Sequence, residues 1–114
     1  MGIEDIREPT FLVLAALADG AKHGYALIQE VDAISDGRVT LRAGTLYAAL
    51  SRLADQGLVR RTGEEVVDGR LRRYYDLTDA GAEVLTEQAA RLRANAAEAD
   101  RRLRSRTRPR AAQA

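Results

Sequence analysis

Along this chain, apolar positions repeat first with the period of helices and later with the period of strands. Behind Pro9, the run Thr10-Phe11-Leu12-Val13-Leu14-Ala15-Ala16-Leu17-Ala18 is apolar almost all round, as expected of a helix buried at a centre or a subunit contact. Pro9 suits its first turn, where the missing N–H is not needed, and residues 19–22 end it. A second helix is predicted over residues 24–34, with Leu27, Ile28, Val31 and Ile34 on one face. Residues 35–38 form a turn and 39–41 a short extended piece. In the segment 41–53, Leu46, Leu50 and Leu53 stand four and three apart, one apolar stripe of a third helix that Asp55-Gln56-Gly57 terminates.

Beyond Gly57 the period changes. Residues 58–66 and 71–77 read as two strands around Asp68-Gly69, a dipeptide that favours a two-residue hairpin turn. In the second strand Leu71, Arg73, Tyr75 and Leu77 alternate with Arg72, Tyr74 and Asp76, so the first set is expected to pack, the Arg73 stem included. Thr78 is the expected N-cap of a long last helix. There Ala82, Leu85, Ala89, Leu92, Ala96, Ala99 and Leu103 recur at alternating spacings of three and four, a heptad stripe. Glu87–Arg91, Glu98–Arg102 and Asp100–Arg104 add i,i+4 pairs. A small domain cannot cover such a stripe alone, so the helix is expected to pair with a second copy.

The expected fold is therefore mainly α: a winged helix-turn-helix (ααα-ββ) over residues 1–78, a dimerisation helix over 79–104, and a disordered basic tail over 105–114. With 114 residues and 4% aromatic content, the core must be built from Leu, Val, Ile and Ala. A core so light gains from the extra burial of a dimer. The net charge is only +1, but residues 38–75 hold eight arginines against four acidic residues. A phosphate backbone senses that local excess, not the total, because the Debye length is about 8–10 Å.

Other chemistry is excluded on composition. There is no cysteine, so no disulfide and no thiolate metal site is available. The single His23 has no ligand cluster around it and no serine to serve, so no cofactor, metal or catalytic constellation is expected. The acidic start Met1-Gly2-Ile3-Glu4-Asp5 does not resemble a signal peptide. No stretch approaches the roughly 20 apolar residues that span a bilayer. A cytoplasmic, membrane-free protein is expected.

Four ordered segments carry a family resemblance: His23-Gly24-Tyr25-Ala26-Leu27, Gly44-Thr45-Leu46-Tyr47-Ala48-Ala49-Leu50, Gly57-Leu58-Val59, and Arg72-Arg73-Tyr74-Tyr75-Asp76-Leu77-Thr78-Asp79-Ala80-Gly81. Over roughly residues 8–103 the chain resembles the PadR family of bacterial transcriptional regulators. Ala48 stands where the family usually has Pro, and the single C-terminal helix resembles the compact subfamily. The resemblance implies a homodimer joined through that helix and, usually, repression of transcription.

Double-stranded DNA is then the expected partner, with Lys22, His23, Thr40, Arg42, Gly44, Thr45, Tyr47, Ser51, Arg70, Arg72 and Arg73 as candidate contacts. Arg, Thr and Ser side chains are suited to phosphates and base edges. Against this, the hairpin arginines could guard an exposed strand edge, His23 could simply start its helix, and Tyr25 and Tyr75 are assigned to the core. Phe11, Ala82, Leu85, Ala89, Leu92, Ala96, Ala99 and Leu103 are the expected dimer contacts. Compact relatives often hold flat hydrophobic compounds between subunits. A small hydrophobic effector could lie against Phe11, Gln88, Ala89, Leu92 and Ala96, although the last helix has no aromatic to stack on it. Two other uses of such a fold remain open, a protein-interaction adaptor and a ligand-sequestering protein whose DNA binding is vestigial.

Overall fold

In a computed structural model describing residues 6–106, the chain forms α1 (Glu8–Ala16), β1 (Lys22–His23), α2 (Gly24–Ile34), α3 (Ala43–Asp55), β2 (Val59–Val67), β3 (Arg70–Leu77) and α4 (Asp79–Arg106). The three strands make one antiparallel sheet in the order β1-β3-β2. The winged helix-turn-helix expected from the periodicity is present. β1 is an addition to it: two residues pair with Tyr75 and Tyr74, too few for any alternation to show.

α1 is apolar nearly all round and mostly covered, with Phe11 and Ala15 half-buried on its remaining side. Leu12, Val13, Leu14, Ala16 and Leu17 are buried between α2 and the start of α4. Leu27 and Val31 of α2 and Leu46, Leu50 and Leu53 of α3 close the core, with Leu58, Val59 and Tyr75 from the sheet. Ile34, placed on the same face of α2 from sequence, is largely exposed because the core ends one turn earlier. Ser35 fixes the turn between α2 and α3. Its hydroxyl accepts the Val39 N–H at 2.9 Å and faces the Asp32 carbonyl at 3.2 Å, so a buried polar side chain stays satisfied.

The hairpin turn has two left-handed residues, Asp68 at φ 51° and Gly69 at φ 75°, matching the right-handed twist of the strands it joins. A bulge at Thr62 shifts the β2 register between Arg61 and Gly63. Thr78 caps α4 as expected: its Oγ1 accepts the Gly81 N–H at 3.0 Å and donates to the Gly57 carbonyl at 2.6 Å. One threonine thus ties the end of α3 to the start of α4.

α4 has 28 residues, about 42 Å at 1.5 Å per residue. Among the described residues, its first turns are the part that packs against the core. Gly81 and Gln88 are buried, and Val84 and Leu85 lie against the core. Two sequence expectations need correcting here. The helix continues through Ser105 and Arg106, so residues 105–106 belong to it and not to a tail; residues 107–114 lie outside the described residues. Gln88, expected to line an effector pocket between subunits, is buried against its own protomer, because α4 meets α1 along the 81-84-88 side.

Candidate nucleic-acid interface

α3 presents two chemically opposite faces. Leu46, Ala49, Leu50 and Leu53 are buried, while Arg42, Gly44, Thr45, Tyr47, Ala48, Ser51 and Arg52 are exposed. Arg42 sits at the N-cap position. Its carbonyl accepts the Leu46 N–H at 2.9 Å, but its guanidinium takes no part in capping and stays in solvent. Thr40, also exposed, donates its hydroxyl to Asp32 at 3.2 Å.

Tyr47 is the pivot of the region. Its ring lies over Gly24 at the start of α2, where a Cβ would overlap the phenol oxygen and stand 2.8 Å from Cζ. The ring also meets Tyr75 in a tilted contact at 6.4 Å. A groove opens on each side. One, of about 410 Å³, is lined by His23, Gly24, Tyr25, Tyr47, Arg70, Leu71 and Arg72. The other, of about 290 Å³, runs between α3 and the sheet and is lined by Tyr47, Leu50, Ser51, Ala54, Asp55, Arg61, Arg73 and Tyr75. The fold therefore brings His23, Tyr47, Arg70 and Arg72 together, and separately Tyr47, Ser51 and Arg73.

His23 is the N-cap of α2. Its Nδ1 accepts the Ala26 N–H at 3.3 Å, and the ring stands edge-on to Tyr74 at 5.4 Å. An acceptor Nδ1 requires the unprotonated ring. Consistently, partial burial and then repulsion from Arg72 hold its pKa below the usual histidine value, with Glu65 acting weakly the other way. The Tyr74 hydroxyl donates a hydrogen bond to Glu65 at 2.5 Å, which raises the phenol pKa.

Lys22 is placed differently from the other cations. Its Nζ donates to the Ala16 carbonyl at 2.6 Å and pairs with Asp19. The ammonium thus neutralises the carbonyl end of α1, where a cation is favoured, and its side chain is mostly covered. Asp19 is correspondingly held below the usual carboxylate pKa. Arg73 likewise has a protein partner, Glu64 directly across the hairpin at 3.4 Å. With both groups half exposed, that pair stabilises by at most about 1 kcal/mol. Glu64 is thus a cross-strand partner of Arg73.

Two expectations about the hairpin fail for one reason. Tyr75 and Leu77 pack, but Leu71 and Arg73 on the same face do not, because β3 runs out past the core. Tyr25 is not in the core either; it is 64% exposed and walls the larger groove. Two residues before Leu27, it lies about 200° round the helix from that buried position, a signal present in the sequence. Arg61 in the second groove was also missed. Among the described residues, no group of three His, Cys, Asp or Glu could hold a metal ion, and no helix is long and apolar enough to cross a membrane.

The model of the transcriptional regulator PadR-like family matches residues 13–87. This chain belongs to that family. Members are transcriptional regulators, not enzymes. The PadR-like chain is 43% identical over 75 residues to the transcriptional regulator Rv3488 of Mycobacterium tuberculosis, covering 66% of each protein. It is 46% identical over 78 residues to a 37.1 kDa protein in a transposon of Streptomyces fradiae, covering 68% of this chain. It spans 21% of the length of that Streptomyces protein. Its fold is similar to that of Bacillus subtilis PadR in a crystal structure with operator DNA. That match has a TM-score of 0.65 at 20% identity and covers 73% of this chain and 48% of the other.

Proposed function

We propose that this PadR-like protein binds double-stranded DNA and regulates transcription, as a homodimeric repressor on a pseudo-palindromic operator. The observation that carries the reading is the exposed surface of α3 and its N-cap, where Arg42, Thr45, Ser51 and Arg52 lie in solvent outside the buried leucine stripe. Such a helix fits the major groove, with donors for base edges and phosphates. The β2–β3 hairpin beside it carries Arg70 and Arg72 to the flanking backbone. A relative of the same fold, Bacillus subtilis PadR, was captured on operator DNA.

Support for the dimer comes from α4. Leu92 and Leu103 are 51% and 56% exposed, and Ala96 and Ala99 are exposed between them, so the outer half of the heptad stripe has no cover within one protomer. Two-fold pairing would set the α3 helices one DNA turn apart, about 34 Å, giving the symmetric site. Phe11, Ala82, Leu85 and Ala89 would extend that contact. A small hydrophobic effector would enter between the paired helices against Phe11, Ala89, Leu92 and Ala96, since Gln88 is turned into its own core. A cytoplasmic location is consistent with this reading.

Titration against a duplex selected from a random-sequence library tests the reading. Arg42→Ala should cost about 1–3 kcal/mol of specific binding and leave thermal stability unchanged. Replacing Arg70 and Arg72 with Ala should weaken all sequences alike and make the slope of log K against log salt shallower by about two. Failure of the wild-type protein to bind any duplex at low salt would refute DNA regulation.

A further inference from the structure

The larger groove beside Tyr47 combines two chemistries. Its core end is aromatic, with Tyr25 and Tyr47, both exposed, beside His23. Its outer end is cationic: Arg70 and Arg72 line it on either side of Leu71, and no described carboxylate does. The hairpin as a whole is neutral, because Glu64, Glu65 and Asp68 balance Arg70, Arg72 and Arg73. Those charges are nonetheless segregated. Glu64 is tied to Arg73, and Glu65, across the strand pair from Arg72, accepts the Tyr74 hydroxyl. Among the described residues, no ion pair holds Arg70 or Arg72. At the His23 ring, the influence of Arg72 outweighs that of Glu65.

We propose that this groove binds a mononucleotide, its base stacked on Tyr25 and Tyr47 and its phosphate held by Arg70 and Arg72, and that the bound nucleotide competes with DNA. The site is separate from the space between paired α4 helices. Its competition with DNA rests on the DNA-binding reading above; the nucleotide site itself does not.

The shape of the groove selects the ligand class. His23 is level with Tyr74 in the sheet, and Arg72 and Arg70 follow two and four residues further out, about 7 and 13 Å at 3.3 Å per residue. A ligand that engages both ends is therefore elongated, with a planar ring, a spacer and an anion in that order. A nucleotide has this order, whereas in a simple aryl carboxylate the charge adjoins the ring. The volume of about 410 Å³ is that of a small-molecule site. Guanidinium forks suit phosphate oxygens.

The aromatic end argues for a free nucleotide and not for a stretch of duplex alone. A duplex keeps its base faces stacked on one another, and exposing one costs unstacking energy, so duplex DNA leaves the tyrosine rings unused. A free nucleotide has an open base face that can stack on them. Tyr47 belongs to α3 and both arginines to the hairpin, the two elements assigned to DNA. A bound nucleotide thus takes up groups that DNA binding needs.

Equilibrium dialysis of the full-length protein against AMP, without DNA, tests the site. Binding should saturate at one AMP per protomer. Adenosine lacks the anion, ribose 5-phosphate lacks the ring and benzoate lacks the spacer, so each should bind at least tenfold more weakly. Tyr25→Ala, at an exposed position, should lose about tenfold in AMP affinity, and Arg70→Ala/Arg72→Ala at least as much. Saturating AMP should weaken wild-type binding to the library-selected duplex about tenfold, and Tyr25→Ala should need about tenfold more AMP for the same effect.

No saturable binding of AMP at millimolar concentration would overturn the proposal, as would an AMP affinity unchanged in both variants. Adenosine or benzoate binding as tightly as AMP would overturn the ligand class. AMP binding that leaves duplex affinity unchanged would overturn the competition. Binding to no duplex would overturn the DNA reading and the competition with it, while the dialysis decides the nucleotide site by itself.

Discussion

Gly81, in the first turn of α4, allows a sharp test of how the last helix is seated on the winged-helix core. A Cβ there would overlap the Leu58 carbonyl oxygen outright and stand 3.0 Å from its carbon and 2.9 Å from Leu77 Cδ1. The obstacle is main chain, so no rotamer change relieves it. The same Leu58 oxygen accepts the Thr78 N–H at 3.1 Å, and Thr78 also bonds Gly57 and Gly81. Moving α4 away to make room would strain the two bonds that Thr78 makes to Leu58 and Gly57.

Overpacking of this kind costs about 1–3 kcal/mol, and each weakened hydrogen bond about 1 kcal/mol. Against this, Gly→Ala in a helix gains at most about 1 kcal/mol. Gly81→Ala should therefore lose about 2 kcal/mol, which lowers Tm by roughly 10 °C in a domain of this size. Two matched substitutions isolate the cause. Gly44→Ala, in the first turn of α3 with nothing within 4 Å of the new Cβ, should raise Tm by a few degrees. Gly24→Ala meets only the outer end of Tyr47, which is 42% exposed and can swing into solvent. It should change Tm little while displacing the phenol, and so weaken DNA binding. A calorimetric Tm of Gly81→Ala at or above wild type would refute the account of the helix junction.

Two further outcomes follow from other sites. His23 has a folded-state pKa below its unfolded value, so as pH falls the unfolded chain takes the proton first. Stability should be full above about pH 6.5 and decline as pH drops from there to the lowered folded value. His23→Asn, which keeps an N-cap acceptor, should flatten that part of a Tm–pH profile; an equal decline in both proteins would clear His23 of the effect. Leu92→Asp should leave each protomer folded, because the position is half exposed in one chain, yet should cost a paired interface several kcal/mol through a carboxylate facing an apolar partner. Sedimentation should show a folded monomer without specific DNA binding, and a dimer of unchanged affinity would place the interface elsewhere.

Legibility of the fold followed the reach of its interactions. The stripe of Leu46, Leu50 and Leu53, the Asp68-Gly69 turn and the Thr78 cap are local signals, and each element forms where its residues indicate. β1 was illegible because two residues have no period. Gln88 was misplaced because a helical stripe gives a direction but not the neighbour met there, and α1 happened to meet the polar side of that turn. Leu71 and Arg73 show the same limit in a strand. Alternation assigned their face correctly, but whether that face has anything to pack against depends on how far the hairpin overshoots the core.

The segments that carry the family resemblance prove, on inspection of their contacts, to be mostly joints. His23 caps α2, Gly24 makes room for the Tyr47 ring, Thr78 ties Gly57 to α4, and Gly81 admits the Leu58 carbonyl. Each is a close approach or a cap that tolerates few residue types, which is why a pattern of residues can identify the fold at all. The exposed positions of α3 are under no such constraint. Arg42, Thr45, Ala48, Ser51 and Arg52 touch nothing that the fold requires. Belonging to the family therefore fixes how the helix and hairpin are held, while under the proposed DNA-binding reading those free positions would carry the sequence preference. Exchanging them for the equivalent residues of Rv3488 should transfer sequence preference without altering Tm, and a change in stability instead of preference would show that they serve the fold after all.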